Sequence, residues 1–168
     1  SSACALDESD TVYCWGANDD GQVGVGTVDD VGTPSPILFA LRVKRLGDSS
    51  FSHHCLIAAD DSLWCWGLNT EDQVGRMDPR GGIANVTSPV MPEFRWREVS
   101  AGGGHTLAIR EDGTLWCWGR NTSDECGLGE DAPGRIFPPE QVGVEQDWQR
   151  VSAPQRGSCG LRSGGALF

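Results

Sequence analysis

What the chain lacks narrows it first. Its 168 residues contain no run of apolar residues approaching the ~18 that a helix needs to cross a bilayer, so nothing is expected to insert in a membrane. Cations are scarce, with 13 Lys and Arg against 24 Asp and Glu, for a formal net charge of −11. Such a surface repels phosphate backbones and anionic headgroups, which argues against nucleic acid as a partner. No stretch sustains a 3.6-residue apolar period, so helices are not expected. The sequence has no G-x-S-x-G, no Walker-type Gly-Lys-Ser/Thr, and no carboxylates paired in a consistent frame, so neither an enzyme nor a cofactor is expected. There are 3 histidines, at 53, 54 and 105. The string "HHC" at 53–55 has no second ligand cluster at metal-site spacing. "NDDG" at 18–21 and Asp29-Asp30 lack the alternating ligands and distal Glu of a calcium loop, so no metal is expected.

What is abundant is Trp, Cys and Gly, at 7, 7 and 23 residues. Five of the tryptophans and three of the cysteines sit in one pentapeptide: "VYCWG" at 12–16, "LWCWG" at 63–67 and "LWCWG" at 115–119. Trp15, Trp66 and Trp118 are spaced by 51 and 52 residues, Cys4, Cys55, Leu107 and Cys159 by 51, 52 and 52, and Val43, Trp96 and Trp148 by 53 and 52. Three markers with one period define repeats, at approximately 1–52, 53–104 and 105–156, with a fourth begun at 157–168. In each copy two strands flank a three-residue loop: Glu8-Ser9-Asp10, Ala59-Asp60-Asp61 and Glu111-Asp112-Gly113. This register sets Leu107 opposite Cys117 and Ile109 opposite Leu115. The segments "ANDDGQVG", "LNTEDQVG" and "RNTSDECG" that follow read as turns, and then as variable loops ending at Pro36, Pro89 and Pro139.

Side chains alternate along a strand, so Trp64 and Trp66 share one face while Leu63 and Cys65 share the other. Both faces are apolar, which is the signature of a sheet covered twice. Stacked small sheets supply that environment, so the chain is expected to be all-β, built of propeller blades with Trp15, Trp64, Trp66, Trp116 and Trp118 in the blade core. Burial of each indole is worth roughly 2–3 kcal/mol.

The third copy, "VSAGGGHTLAIREDGTLWCWGRN…GLG", resembles the repeat of the regulator of chromosome condensation family. Gly102, Gly104, His105, Leu107, Gly113, Leu115, Trp118, Gly119, Asn121, Gly127 and Gly129 carry the resemblance. His53, Trp66, Gly67, Asn69 and Gly75 match in the second copy, and Trp15, Gly16, Asn18, Gly21 and Gly24 in the first. The resemblance implies a blade of the kind that family members close into a ring of about seven, and protein binding through loops. Three periods do not close a ring, which leaves two expectations: a piece of a longer repeat protein, or open blade faces and edges satisfied by copies of itself. The second copy departs by replacing the Gly-rich bend with "SSFSH".

Cys4–Cys14 and Cys55–Cys65 share the spacing C-x9-C and lie opposite one another in this register, within disulfide reach. Cys126 is extra and within reach of Cys117. Sequons at Asn85 and Asn121 are candidate N-glycan acceptors; Asn121 also holds the repeat's turn position. Together these features point to an extracellular or cell-surface setting. The expected function is a non-enzymatic module for protein binding or structural assembly, such as a subunit of a glycosylated surface layer or fibril. Its loops at 27–35, 76–88 and 130–138 are the ones to watch. The alternative is a guanine nucleotide exchange factor-like regulator of a small GTPase.

Overall fold

The structure, a computed structural model, describes residues 2–49, 52–76 and 82–168. Its elements are β1 (Ser2–Leu6), β2 (Val12–Gly16), β3 (Val31–Pro36), β4 (Val43–Leu46), β5 (Asp48–Ser49), β6 (His53–Ala58), β7 (Leu63–Leu68), β8 (Ile83–Val90), β9 (Trp96–Ala101), β10 (His105–Arg110), β11 (Leu115–Arg120), β12 (Arg135–Val142), β13 (Trp148–Ser152) and β14 (Cys159–Arg162). The described residues form no helix.

The strands make four separate sheets, in the orders β1-β2-β3, β4-β6-β7-β8, β9-β10-β11-β12 and β13-β14. Neighbours within a sheet are antiparallel, and β5 adds beside β9 in parallel, which ties one sheet to the next. These are propeller blades, two of them with all four strands. The sheets are offset from the sequence units. The unit 53–104 supplies the last three strands of one blade and, through β9, the first strand of the next.

The central hairpins have the register that the repeat dictates. Leu107 faces Cys117 and Ile109 faces Leu115; Cys4 faces Cys14 and Cys55 faces Cys65. The last loop residue is left-handed in each copy, with φ of 63° at Asp10, 66° at Asp61 and 86° at Gly113. The third marker series gains its meaning here. The carbonyls of Asp10, Asp61 and Gly113 accept hydrogen bonds from the amides of Val43, Trp96 and Trp148, so each hairpin tip holds the start of the next blade's first strand.

One departure concerns the stretches read as variable loops. Residues 31–36, 83–90 and 135–142 are outer strands, so Pro36, Pro89 and Pro139 lie in strands. Proline and an irregular apolar pattern hide such a strand from a sequence reading. An edge strand is the one place in a sheet that tolerates both. Part of the loop expected at 76–88 falls on residues 77–81, outside the described residues.

Core clusters span the seams between blades. One joins Val12, Cys14 and Val23 to Val43, Leu56, Ala58 and Trp66; a second joins Cys55, Ile57, Leu63, Cys65, Val74 and Val90 to Trp96, Val99, Ala108 and Trp118. A third sets Leu107, Ile109, Leu115 and Cys117 against Trp148 and Val151. Trp66 and Trp118 are fully buried. Trp64 and Trp116 are half-buried at the cluster margins, where their Nε1–H groups donate to Ser62 and Thr114 hydroxyls at 2.7 and 2.9 Å. Trp15 departs from its expected core role: it is half-buried and belongs to none of the three clusters. It lies on the first sheet, and both complete seams involving an equivalent indole place it against the preceding sheet. The core also takes in Trp96, fully buried, and Trp148, nearly so.

The glycine that closes each pentapeptide sits at a bulge between the third and outer strands. Gly67 and Gly119 have φ of 105° and 97°, and a Cβ there would stand 2.4 Å from the Ser52 carbonyl oxygen and 2.5 Å from that of Gly104. Neither the conformation nor the space admits a side chain.

Candidate functional site

The turns after β2, β7 and β11 follow the same strand of successive blades, so they line one rim of the stack. An asparagine builds each turn. Asn18 Oδ1 accepts the Val23 amide and its Nδ2 donates to the carbonyls of Thr27 and Asp29. Asn69 Oδ1 accepts the Val74 amide and its Nδ2 donates to Arg76 O, while Asn121 Oδ1 accepts the Cys126 amide and its Nδ2 donates to Pro133 O. A second side chain fixes the turn's interior: Gln22, Gln73 and Glu125 accept the amides of Asp20, Glu71 and Ser123 at 2.9, 2.9 and 2.8 Å. The hydrogen-bonded frame is therefore the same in the first three blades, whereas the residues it displays differ.

This geometry decides the role of Asn121. It is buried, with both ends of its amide engaged, so it is a turn residue and not a glycan acceptor in the folded chain. Asn121→Ala should cost about 1–3 kcal/mol by stranding the Cys126 amide, read as a lower urea midpoint at unchanged slope. Asn85 was expected in a loop but lies in β8, half-buried, with Nδ2 donating to Gly26 O at 2.9 Å across the seam between the first two blades. The Gly26 amide returns the bond to Asn85 O.

The rim is acidic. Asp19, Asp29, Asp30, Asp124, Glu130 and Asp131 are exposed on it. Among the described residues only part of the rim's negative charge is matched: Arg135 approaches Asp72 at 3.4 Å and Arg120 meets Glu125 at 3.0 Å. Burial and the neighbouring Asp19 charge push the Asp20 carboxyl up from its ordinary value. Burial works in the same direction on Glu125, but the Ser123 amide and the Arg120 guanidinium outweigh it and hold the carboxylate charged. Apolar side chains lie exposed beside these charges at Val28, Leu38, Ile83 and Val86. Leu38 and Ile83 adjoin Gly26 and Gly21 of the first turn.

The remaining residues singled out in the sequence serve the frame. Cys4–Cys14, Cys55–Cys65 and Cys117–Cys126 are bonded, with Cα separations of 4.1, 4.1 and 5.4 Å, and Cys159 is free and exposed. The histidines lie in the seams. His53 Nε2 meets Thr106 Oγ1 at 2.8 Å, and His105 Nε2 meets Ser158 Oγ at 3.1 Å. His54 meets Ser2 Oγ at 3.0 Å and stacks on Trp66. Thr106 and Ser158 pass their own protons to the carbonyls of Gln73 and Glu125. The sequence reading missed these two carbonyl acceptors as the hubs of the seam. Their only sequence signal is the repeated Gln/Glu two residues ahead of each turn's closing glycine. Among the described residues, no group of three or more His, Cys, Asp or Glu side chains is placed to hold a metal ion.

Two profiles of the "Regulator of chromosome condensation (RCC1) repeat" match the chain, one at residues 1–22 and 96–125 and the other at 60–109, together just over half of it. The ultraviolet-B receptor of Arabidopsis thaliana is 32% identical over 163 residues, which cover 94% of this chain and 36% of that protein. A guanine nucleotide exchange factor of Saccharomyces cerevisiae is 31% identical over 132 residues, 75% of this chain and 27% of that protein. The crystal structure of Prp20p from Saccharomyces cerevisiae superposes with a TM-score of 0.83 at 20% identity, covering 95% of this chain and 41% of that one. The chain thus spans little more than a third of the length of the curated relative matched over most of its residues. The repeated hairpins, Asn turns and seam tryptophans, with the profile matches that fall on them, place the chain in the regulator of chromosome condensation repeat family.

Proposed function

We propose that the chain is a protein-binding segment of a propeller, without chemistry of its own, and that the Asn-turn rim is its contact face. The observation that carries this reading is the contrast along that rim: an invariant hydrogen-bonded frame beneath side chains that change from blade to blade, with exposed carboxylates beside exposed apolar residues. A partner with a basic face fits it. Core histones are a suitable probe, since the Prp20p structure is described together with binding to Gsp1p and histones. The chain should bind such a basic protein with an affinity that falls as salt rises. Charge reversal at Asp19, Asp29, Asp124 and Glu130 should weaken binding at least tenfold while the far-ultraviolet circular dichroism stays unchanged. Binding that ignores both salt and these substitutions would refute the assignment of the rim.

The second reading is an exchange factor-like regulator of a small GTPase, favoured by the 31% identity to the yeast exchange factor. Release of a fluorescent guanine nucleotide from Gsp1p, followed with and without the chain, separates the two: acceleration supports the exchange reading, and no change supports binding alone.

Three bonded cysteine pairs support an oxidising compartment, and with it an extracellular or cell-surface role in which copies of the chain assemble. In protein isolated from its native source under alkylation, Cys159 alone should label before reduction and all seven after it. Labelling of all seven without reductant would overturn this placement. A glycan at Asn85 belongs to the same reading, and a mass shift on glycosidase treatment checks it.

A further inference from the structure

The outer strand of the first blade carries "TPSP" at 33–36, a string that occurs once in the chain. In the pairing of β3 with β2, Pro36 faces Tyr13 and Ser35 faces Cys14, and pairing resumes only where Val31 faces Gly16. Gly32, Thr33 and Pro34 therefore form a bulge opposite the single Trp15, without ladder partners among the described residues. The second and third blades bulge at the same point, over 85–87 and 137–139. In the second blade the bulge is tied across the seam: Asn85 Nδ2 donates to Gly26 O and Thr87 Oγ1 to Leu38 O, at 2.9 and 3.2 Å. The first blade has Gly32 and Pro34 in those two places, and neither side chain can donate. The middle residue is exposed in all three blades, as Thr33, Val86 and Pro138. The second and third sheets pack against neighbours on both sides, so this exposure belongs to the position. Of the string's two hydroxyls, one is spent: Ser35, half-buried, donates to Thr33 O at 3.1 Å. The prolines hold the string extended, since each fixes its own φ and keeps the residue before it out of the helical region.

We propose that Thr33 is a modification site, its hydroxyl the acceptor of an O-linked sugar. The proposal rests on the extracellular reading, because a chain that forms disulfides in an oxidising compartment meets glycosyl transferases there. Thr33 Oγ1 attacks the anomeric carbon of a nucleoside diphosphate sugar. The new carbon–oxygen bond forms as the bond from that carbon to the diphosphate breaks. The hydroxyl proton passes to a base of the transferase, and the nucleoside diphosphate leaves with the bonding electrons. Hydroxyls set among prolines are the substrate of this chemistry, and the extended string enters a peptide cleft with little further loss of entropy. A phosphate is the other group a Thr-Pro string accepts. It would add nearly two negative charges close to the exposed Asp29 and Asp30, in a chain already at −11, whereas a neutral sugar adds bulk alone. The sugar also covers the outer edge of the sheet β1-β2-β3, where open backbone groups invite strand addition.

The test takes protein isolated from its native source under alkylation, digests it with trypsin, and fragments the peptide ending at Arg42 by electron transfer, which leaves glycosidic bonds intact. The mass of a hexose or N-acetylhexosamine should sit on Thr33 and be absent from Ser35. Thr33→Ala, made in the same cells, should lose that mass with an unchanged far-ultraviolet circular dichroism spectrum. Pro34→Ala, which frees residue 33 to leave the extended region, should lower the sugar-bearing fraction. A bare Thr33 in protein whose Cys159 alone labels before reduction would overturn the proposal and leave the extracellular placement standing. Labelling of all seven cysteines without reductant would overturn the placement, and the mass at Thr33 would then decide the site by itself. A phosphate on Thr33, or a sugar on Ser35 in its stead, would also overturn the proposal. The unaltered protein gives these readings, so they hold even if a variant fails to fold.

Discussion

Replacing Trp118 by Ala should cost about 3–5 kcal/mol, most or all of the stability of an ordinary small domain. Trp118 is fully buried in a seam, packed edge-on against Trp96 at a ring-centroid distance of 6.2 Å, and its Nε1–H is spent on Gln73 O. Its removal opens a cavity lined by two blades, neither of which can collapse without dragging its own hydrogen-bond ladder. Trp66→Ala should behave alike, for its full burial and its bond to a carbonyl of the preceding blade recur one seam earlier, with His54 stacked on the ring. Trp116→Ala should cost roughly half as much, because that ring is only half-buried and its N–H reaches a hydroxyl two residues away in its own blade. Trp15→Ala should cost least of the series, roughly 1 kcal/mol, since it belongs to no seam cluster. Urea midpoints of the four variants, read at constant slope, check the order. If Trp15 and Trp118 proved equally costly, the seam would not be what holds the blades together.

That graded series marks how far the sequence could be read. The period was legible from the spacing of its markers, and the hairpin registers, with Cys4 opposite Cys14 and Cys55 opposite Cys65, because they follow from strand alternation. Side chains two apart share a face, and residues equidistant from a three-residue loop oppose each other. The roles of His53 and Asn121 were legible in kind, as residues that recur with the period. The outer strands were not, because β3, β8 and β12 carry proline and no clean alternation, and an edge strand is set by its neighbour's open hydrogen-bonding groups more than by its own pattern. Nor could the five pentapeptide tryptophans be ranked. "LWCWG" shows that two indoles share a face, but their burial depends on which turn of the preceding blade reaches over them, and that contact is a backbone carbonyl about 45 residues away. Asn85 was misplaced for a related cause: its partner, Gly26, belongs to another blade.

Acid should open the same seams. Thr106 Oγ1 donates to Gln73 O, so it must accept from His53, which fixes the proton on Nε2 and leaves Nδ1 bare, buried and without a partner among the described residues. Protonation would place a charged N–H at that position with nothing to receive it. Burial, with His54 and His105 nearby, lowers the His53 pKa to about 3, and burial alone lowers that of His54 to about 4. Both rings are therefore neutral in the fold at a pH where the unfolded chain, titrating near 6.5, already holds the protons. Since the unfolded state binds more protons, stability is full above about pH 6.5 and falls as the pH drops towards 4 and 3. At pH 4.5 the two histidines together should remove about 5 kcal/mol, from two pH units each at roughly 1.4 kcal/mol per unit. The depressed carboxylates Asp7, Asp60 and Asp112, held down by Ser and Thr hydroxyls and amides, act only below about pH 4, so the windows separate. Denaturant unfolding between pH 7.5 and 4.5 should show the loss. His53→Gln with His54→Gln, which removes both titrations and leaves an amide donor near Thr106, should flatten most of it. A profile already flat in the unaltered chain would mean that the seam histidines take up protons without parting the blades.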